Sequence, residues 1–346
     1  MQMWDNNKDM ENKLITFCIP SYNSEEYLHF SVDSLLECGE DIEVLIINDG
    51  SKDRTGEIAD EYASKYDFIK AIHQENAGHG GGINNGLKLA TGLYFKVLDS
   101  DDWVDTETLK AIIQEIKNGS QPDLFVTDFV YRLGRDGNTR RMSFASLFKK
   151  NKECTWQTIG KFNFKNSLTL HSVMYKTSII KESGVVLPEH CSYEDNYLIY
   201  CPLKYVRSIK YLELPFYQYL IGRSGQSMEG PTCVRKWRDF IKDGTLAFDY
   251  QDIIAIKKQD KKLYKVLWHH LELQMLCMIQ FTRVNGSKEA KAALKEFWRH
   301  AKEKYPKMYG KIRHRSFAFF IGFPGPIGSF ITKIGYKVSL KVVKYS

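Results

Sequence analysis

The sequence predicts an α/β protein: a mostly parallel, Rossmann-like sheet with helices on both faces, followed by a helical C-terminal region. Three observations predict this. Apolar runs of strand length alternate with amphipathic helical segments over about the first 130 residues. Several of these runs end in polar or acidic residues. From about residue 233 onward, long helical patterns dominate. At 346 residues, with 43% apolar and 26% charged residues, the chain has the composition of a folded protein with more than one structural part.

The first half of the chain carries the alternating pattern. An apolar run at residues 14–19 predicts the first strand, and Ser24 is placed to cap a helix that extends to about Cys38. The second strand is predicted at residues 41–47. A helix with Ile58, Ala59, Tyr62 and Ala63 directed inward comes next, followed by a strand at 68–73 and a glycine-rich turn at 78–82 that leads into a helix to residue 90. The last elements of this half are a strand at 94–98, a helix at 106–117 ended by Gly119, and a strand at 124–130.

The second half is less regular. Residues 132–165 are expected to form loops, and residues 171–219 to form short strands with one helix near Glu194. Residues 233–304 read as helices, including a long one over 263–281. The predicted division is a disordered N-terminus at 1–12, a catalytic domain at 13–230, a helical region at 231–310 and a basic tail at 311–346.

The positive charge lies almost entirely in the tail. Residues 304–346 contain nine Lys or Arg and no acid, so the overall +7 leaves about −2 for the rest of the chain. Such asymmetry favours an anionic partner. Lysines and apolar side chains occupy different faces of the last predicted helix: Lys333, Lys337, Lys341 and Lys344 against Phe330, Ile331, Ile334 and Val338. This pattern predicts a helix that lies in a membrane interface. The alternative is a helix that packs on the protein and leaves its lysine face in solvent.

The cysteines and the N-terminus bear on the compartment. Seven cysteines are scattered through the chain without a C-x-x-C pair, which argues against a zinc site and against a disulfide framework. A reducing cytosol fits this usage. The polar N-terminus shows no signal segment. We therefore expect a cytoplasmic protein.

An acidic stretch follows the predicted strand at residues 94–98. Asp99, Asp101 and Asp102 stand within four residues, at the sheet edge where ligands of open α/β folds bind. Carboxylates this close repel one another, and a hard divalent cation removes that cost while holding the phosphates of a nucleotide. The alternative is a solvated turn that caps the next helix.

The order of the motifs resembles the family 2 glycosyltransferases of the GT-A fold. The resemblance covers roughly residues 13–228. It rests on seven motifs in the expected order: Ile19-Pro20-Ser21-Tyr22-Asn23, Ile47-Asn48-Asp49-Gly50-Ser51, Asn76-Ala77-Gly78, Asn84-Asn85-Gly86-Leu87, Leu98-Asp99-Ser100-Asp101-Asp102, Tyr193-Glu194-Asp195 and Arg223-Ser224-Gly225-Gln226-Ser227.

The resemblance implies a UDP-sugar site. Asp49 would accept a hydrogen bond from the uracil edge, Asp99 would contact the ribose, and Asp101, with Asp99, would hold Mn²⁺ or Mg²⁺. The implied nucleotide-binding residues are Pro20, Tyr22, Asn23, Asp49, Asn76, Gly78, Asn84, Asp99, Ser100, Arg223, Gln226 and Ser227. Gly82-Ile83-Asn84 lacks the arginine that many relatives carry there. His79 either compensates for that loss or is a turn residue, which we favour.

The pair Glu194-Asp195 is the second acidic centre. By resemblance it lies beside the acceptor, with Asp195 as general base and Glu194 as its orienter or an acceptor ligand. A sugar hydroxyl is a poor nucleophile, and a positioned base contributes about 10²–10⁴-fold. The alternative is a pair of acids favoured by a helix N-terminus. Arg223 would neutralise the leaving group or is a surface residue, and Asp102 would orient the metal ligands or cap the next helix.

These expectations describe an inverting, metal-assisted hexosyl- or N-acetylhexosaminyltransferase of bacterial polysaccharide or wall-polymer synthesis. Its partners would be a UDP-sugar, a saccharide acceptor that a lipid carrier can hold, and the inner face of the cell membrane. Nucleic acid is not expected, and an oligomer is left open. The rivals are a nucleotidyltransferase, although the N-terminal turn lacks a basic phosphate loop, and a non-catalytic membrane- or nucleic-acid-binding module. Neither G-x-G-x-x-G after the first strand nor G-x-S-x-G is present, which argues against NAD-dependent and esterase chemistry.

Overall fold

The fold is taken from a computed structural model that describes residues 13–134, 137–163, 166–222, 229–316, 319, 328 and 330–337. The strands are β1 (Ile15–Ser21), β2 (Ile42–Asn48), β3 (Ile69–His73), β4 (Tyr94–Val97), β5 (Trp103–Val104), β6 (Leu124–Leu133), β7 (Thr139–Met142), β8 (Glu153–Cys154), β9 (Val173–Lys176) and β10 (Ile209–Ile221). The α-helices are α1 (Leu28–Asp33), α2 (Thr55–Lys65), α3 (Gly78–Leu89), α4 (Thr106–Lys117), α5 (Thr177–Ser183), α6 (Asp195–Tyr200), α7 (Gly230–Arg235), α8 (Trp237–Tyr250), α9 (Ile253–Gln259), α10 (Lys261–Asn285), α11 (Lys288–Lys304) and α12 (Pro306–Arg315).

The described strands form one mixed sheet in the order β3-β2-β1-β4-β9-β6-β10-β5, with β7 on β6 and β8 on β10. The four strands β3, β2, β1 and β4 run parallel, as the alternating pattern predicts. β9 enters between β4 and β6 and is antiparallel to both. The first parallel strands are buried along their whole length because helices cover both faces of the sheet. The predicted α/β fold is confirmed, with a mixed rather than a purely parallel sheet.

Three predicted elements differ from the structure. The helix expected at residues 24–38 begins only at Leu28, because the Ser24 hydroxyl bonds to the Ser100 hydroxyl (2.7 Å) instead of capping it. The glycine-rich segment 78–82 is the first turn of α3 rather than a loop. Residues 132–165 are not only loop, since β6 extends to Leu133 and β7 and β8 follow. By contrast, α4 spans the predicted residues, and Gly119 adopts φ +90° just past its end.

The glycines of α3 let this helix approach β1 closely. A Cβ at Gly86 would lie 2.3 Å from Cys18 Sγ and 3.1 Å from Cys18 Cβ. A Cβ at Gly82 would lie 3.1 Å from Pro20 Cβ. Glycine is a poor helix former, but at these two positions it allows the helix and the strand to pack closely. The result brings the N-terminus of α3 to the end of β1, beside the acidic stretch.

We expect Gly86→Ala to lower the free energy of unfolding by about 1–3 kcal/mol, because the methyl group overpacks the contact with Cys18. Gly310→Ala in α12 is the matched control, since nothing lies within 4 Å of a Cβ placed there. The control should be neutral or stabilising by up to about 1 kcal/mol. Urea unfolding of both variants is the measurement. Equal effects of the two substitutions would contradict close packing at Gly86.

The C-terminal part is helical, as predicted from residue 233 onward. The long helix α10 packs against α8 and contacts α6 of the sheet-bearing part, where Gln274 Nε2 donates to the Asn196 carbonyl (3.2 Å). Residues 330–337 are also helical. Across the described part of the chain, no helix combines the length and the apolar content that a bilayer span requires. The division into domains at residues 230 and 310 stays a prediction.

Candidate active site

The acidic stretch after β4 is anchored to β10 through Asp102. This side chain is fully buried; its Oδ2 accepts from Tyr217 Oη (2.8 Å) and its Oδ1 from the Leu220 N–H (2.8 Å). Tyr217 Oη also accepts from the Asp99 N–H (3.1 Å). Burial and the neighbouring Asp99 charge hold the pKa of Asp102 well above its ordinary value. Asp102 does not cap α4, because Asp105 accepts from the Thr108 N–H there.

His79 connects the two acidic centres. Its Nε2 lies 3.0 Å from Asp99 Oδ1 and its Nδ1 lies 2.7 Å from Glu194 Oε1. Burial alone would lower the pKa of His79, but the hydrogen bonds and charges of the two carboxylates outweigh it and raise the pKa well above 6.5. Because both partners are acceptors when ionised, the ring is an imidazolium that donates from both nitrogens. The preferred interpretation of His79 as a turn residue was wrong.

Glu194 and Asp195 stand at the start of α6 with different surroundings. Glu194 is buried and directed to His79. Asp195 is partly exposed, and Asn196 Nδ2 donates to its Oδ1 (3.3 Å). Burial of the carboxyl, together with the nearby Glu194 charge, raises the pKa of Asp195 to about 7. A carboxylate with this pKa accepts a proton near neutral pH, which is the property of a general base.

The backbone before this pair is held in an uncommon conformation. Tyr193 adopts φ +73° and His190 φ +47°, in the left-handed region that side chains other than glycine rarely occupy. The Tyr193 ring stacks on Phe240 of α8 with centroids 3.9 Å apart. Packing against the helical region therefore offsets local strain and sets where Glu194 and Asp195 lie.

Two basic side chains lie behind the acids: Lys96 is buried and His171 is half-buried. Lys96 donates to three carbonyl oxygens, those of Leu170, His171 and Val173 (2.6–3.0 Å), and burial lowers its pKa to about 7. The His171 ring stacks on Tyr219 (4.1 Å between centroids), and its buried Nδ1 has no hydrogen-bond partner. Burial lowers the pKa of His171 to about 4. Neutral imidazole is the form that ligates metals.

Asp99, Asp102 and His171 converge. One ligand atom from each lies within 4.8 Å of the others. Two carboxylates and an unpartnered imidazole nitrogen form a donor set that suits Mn²⁺, so the residues present fit the predicted cation. The group shares Asp99 with the predicted ligand pair, while Asp101 is not a member of it.

Hydrogen bonds within the protein hold three of the predicted nucleotide-binding residues. Asp49 is buried, and its carboxylate accepts from Gln74 Nε2, the Ala77 N–H and the Gly78 N–H (2.7–2.8 Å), which leaves one of about four acceptor sites. Asn76 Nδ2 donates to the Asp49 carbonyl (2.8 Å). Asn84 pairs with the backbone of Leu187 in both directions (2.9 Å), so its amide positions the segment before Glu194.

The other predicted residues of the first motif lie near the acidic stretch. Pro20 is in β1, Tyr22 is 50% exposed, and Asn23 Oδ1 accepts from the Lys52 N–H (2.8 Å). Ser100 bonds to Ser24, as described above. Arg223, Gln226 and Ser227 lie outside the described residues.

Sequence reasoning missed Lys96 and His171. A lysine in the middle of an apolar strand was a usable signal, because a buried ammonium needs several acceptors. No comparable signal singles out His171.

The fold and site together define a class: a glycosyltransferase with the GT-A fold. The solved structure of TarS residues 1–349 from Staphylococcus aureus, in complex with UDP-GlcNAc, superposes with a TM-score of 0.64 at 22% identity over 94% of this chain and 92% of that one. That likeness shows the shared fold. The acids of two distant segments meet at the carboxyl ends of its parallel strands.

The family model described as glycosyl transferase family 2 matches residues 16–179, so this part of the chain is a family 2 glycosyltransferase domain. EpsH of Bacillus subtilis, to which a glycosyltransferase activity has been ascribed, is 27% identical over 291 residues, 81% of this chain and 80% of EpsH. The glycosyltransferase GlyG of Streptococcus pneumoniae is 30% identical over 129 residues, 37% of this chain and 42% of GlyG.

Proposed function

We propose that the protein transfers a sugar from a UDP-sugar to a hydroxyl of a saccharide acceptor, with inversion at the anomeric carbon. The observation that carries this is the His79 bridge, because one imidazole ring spans from Asp99 to Glu194. The acid predicted to face the donor and the acid pair predicted to face the acceptor therefore share a single site. The complex of TarS with UDP-GlcNAc supports a UDP-sugar as donor class.

Asp195 takes the acceptor proton. The hydroxyl oxygen then attacks the anomeric carbon from the face opposite the nucleotide, the bond to the diphosphate breaks, and no covalent sugar–enzyme intermediate forms. A carboxylate with a pKa of about 7 is matched to this task near neutral pH. Glu194 orients the site indirectly: it holds His79, and His79 holds Asp99.

A divalent cation would be held by Asp99 with Asp101, or by Asp99 with Asp102 and His171. It would supply neutralisation of the diphosphate charge. The buried Asp102 and Tyr217 fix the backbone that carries Asp99 and Asp101, so these carboxylates are oriented before the donor binds.

The experiment that tests this function is a panel of UDP-sugars incubated with the protein and Mn²⁺, with UDP release as the readout. A transferase hydrolyses its own donor slowly without acceptor, so one sugar should release UDP well above the others. Absence of UDP release from every sugar, with or without saccharide mixtures, would overturn the proposal.

We expect His79→Gln to lower kcat about 10–100-fold, the range for loss of a group that orients direct ligands. Glutamine keeps one hydrogen bond but neither the charge nor the second donor direction. KM for the UDP-sugar should rise as well, because Asp99 loses its orientation. His73→Gln, which removes an exposed His–Asp pair at the end of β3, is the matched control. Unchanged kcat in His79→Gln would contradict the bridging role.

We further propose that the acceptor is held at a membrane surface. The helix at residues 330–337 carries both predicted features: Thr332 is buried and the Tyr336 ring lies 6.4 Å from that of Phe281, while Phe330 and Ile334 are 65% and 46% exposed. Lys333 and Lys337 are exposed beside them. One face of this helix packs on the protein, and the other presents apolar and basic side chains. Such a face suits the surface of an anionic bilayer, which is where wall polymers on lipid carriers are built.

Deleting residues 317–346 should abolish co-sedimentation with vesicles containing phosphatidylglycerol, because apolar and basic contacts are lost together. The double variant Phe330→Glu/Ile334→Glu should reduce binding about tenfold or more, since two anchoring side chains are replaced by charges that anionic lipid repels. Leu89→Glu, at an exposed apolar position on α3, is the control and should bind normally. Undiminished co-sedimentation of the deletion would contradict a membrane role.

A further inference from the structure

A cavity with several polar residues in its lining lies between α6 and the helical region. Its volume is about 120 Å³, and its lining includes Asn196 from α6, Asp243 from α8, and His270, Gln274 and Cys277 from α10. This volume exceeds the roughly 10–15 Å³ that one bound water needs. Small-molecule sites occur preferentially between two parts of a protein.

The lining contains hydrogen-bonding atoms without partners. Asp243 Oδ1, His270 Nε2 and Gln274 Oε1 are each buried and unpaired, and their side chains are at most 8% exposed. An unsatisfied buried polar atom costs about 1–3 kcal/mol. Three residues of the cavity lining therefore carry unpaired polar atoms, which a hydrogen-bonding ligand would satisfy.

The cavity carries little charge. Burial and the charges of Asp195 and Glu194 hold the pKa of Asp243 well above its ordinary value, which favours the neutral carboxyl, the form that can donate a hydrogen bond. Burial lowers the pKa of His270 to about 3, so this ring is neutral too. A neutral wall with donors and acceptors suits hydroxyl groups, which do both, better than it suits an anion or a cation.

One lining residue of the cavity contacts the predicted base. Asn196 lines the cavity, is exposed, and donates its amide N–H to Asp195 Oδ1 (3.3 Å). The Gln274 amide also fixes the backbone of Asn196. A ligand seated in the cavity with one hydroxyl directed to Asn196 would bring that hydroxyl towards Asp195.

We propose that this cavity binds the neutral saccharide acceptor, with Asp243, His270 and Gln274 as its hydrogen-bonding wall. The proposal rests on the function proposed above and deepens it by placing the acceptor ring between the sheet-bearing part and α8 and α10. The helical region is then part of the substrate site and contributes to acceptor specificity.

A pair of glutamine variants tests the wall. Gln274→Met preserves volume and removes the polar atoms, whereas Gln251→Met makes the same change at an equally buried glutamine outside the cavity. Saccharide binding is measured by saturation-transfer NMR in the presence of UDP and Mn²⁺. Glucose and N-acetylglucosamine are the probes, and glycerol is the negative control. Gln274→Met should weaken binding about tenfold, as the loss of one or two hydrogen bonds predicts, and Gln251→Met should not.

Cys277 offers a second, reversible test. It is the exposed cysteine of the chain; the other six are buried. Excess benzyl methanethiosulfonate is used to label this exposed thiol, and intact mass confirms one label. The bulky disulfide should abolish the saccharide signals, dithiothreitol should restore them, and Cys277→Ser should resist the reagent. UDP release from the donor without saccharide should stay within about twofold throughout, since the label lies outside the donor site.

The outcomes separate the two proposals. Saccharide signals that survive both Gln274→Met and the label, with donor hydrolysis intact, overturn the cavity as acceptor site and leave the transferase function standing. Absence of saccharide signals from the unmodified protein also overturns it. Failure of all UDP-sugar turnover in the unmodified protein overturns the transferase function and the acceptor role of the cavity with it.

Discussion

Asp195→Asn is expected to lower kcat about 10²–10⁴-fold while leaving the affinity for the UDP-sugar unchanged. The reason is that asparagine has nearly the same shape but cannot take the acceptor proton, and general-base catalysis accounts for an effect of this size. Steady-state measurement of sugar transfer gives kcat, and calorimetric titration with UDP gives the affinity for the nucleotide of the donor.

The pH dependence gives the same assignment a second test. Because the pKa of Asp195 is raised to about 7, the carboxyl is protonated and inactive as a base below that pH and ionised above it. The value of kcat/KM should therefore rise tenfold per pH unit below about 7 and level off above it. The residual kcat/KM of Asp195→Asn should not show this rise with pH below about 7.

Asp239→Asn is the control for both measurements. Asp239 lies on α8, and its carboxylate accepts from the Ser192 N–H (3.2 Å), a contact that asparagine can keep. Its variant should keep the kcat of the unmodified protein and the rise of kcat/KM with pH below about 7. Near-normal turnover in Asp195→Asn would show that another group takes the proton.

Asp99→Asn is expected to remove the Mn²⁺ dependence of UDP binding, with at least about a 100-fold loss of affinity in the presence of the metal. Asp99 belongs to both candidate ligand sets, so its loss disables either one. Outer groups that only orient metal ligands cost about 10–100-fold, and a direct ligand should cost more. Titration with UDP, with and without Mn²⁺, is the measurement.

The two candidate sets are separated by a second pair of variants. Asp101→Ala should abolish the Mn²⁺ dependence if the pair predicted from the sequence holds the ion. His171→Phe should abolish it if the group of Asp99, Asp102 and His171 does, and phenylalanine preserves the stacking on Tyr219. Asp67→Asn, an exposed acid between α2 and β3, is the control. Full Mn²⁺ dependence in Asp99→Asn would exclude both sets.

Much of the fold was predictable because it depends on local pattern. Runs of apolar residues predicted β1, β2, β3 and β4, and the spacing of Leu109, Ile112, Ile113 and Ile116 predicted α4. Parallel strands place their carboxyl ends on one edge, so the position of Asp49 and Asp99 at the same edge, after the two strands that flank β1, followed from the strand order. The start of α1 was missed because Ser24 pairs with Ser100, a residue 76 positions away.

The candidate site was predictable only as a set of residue types. The resemblance placed Glu194 and Asp195 near the donor acids, but not the contact that joins them. His79 and Glu194 are 115 residues apart, and nothing in the glycine-rich segment shows that its glycines form a helix pressed on β1. The insertion of β9 beside β4, which brings His171 to Asp99 and three carbonyls to Lys96, is likewise a matter of strand pairing across the chain.

The amino-acid pattern by itself determined the α/β class, the order of the first strands and helices, and which acids end them, because these follow from hydrophobic periodicity and local backbone chemistry. Only the tertiary structure decided that His79 is an imidazolium held by two carboxylates, that Asp195 has a pKa near neutrality, and that the next residue, Asn196, lines a cavity. Burial and the charges of residues distant in sequence set these properties, and both exist only once the chain is packed.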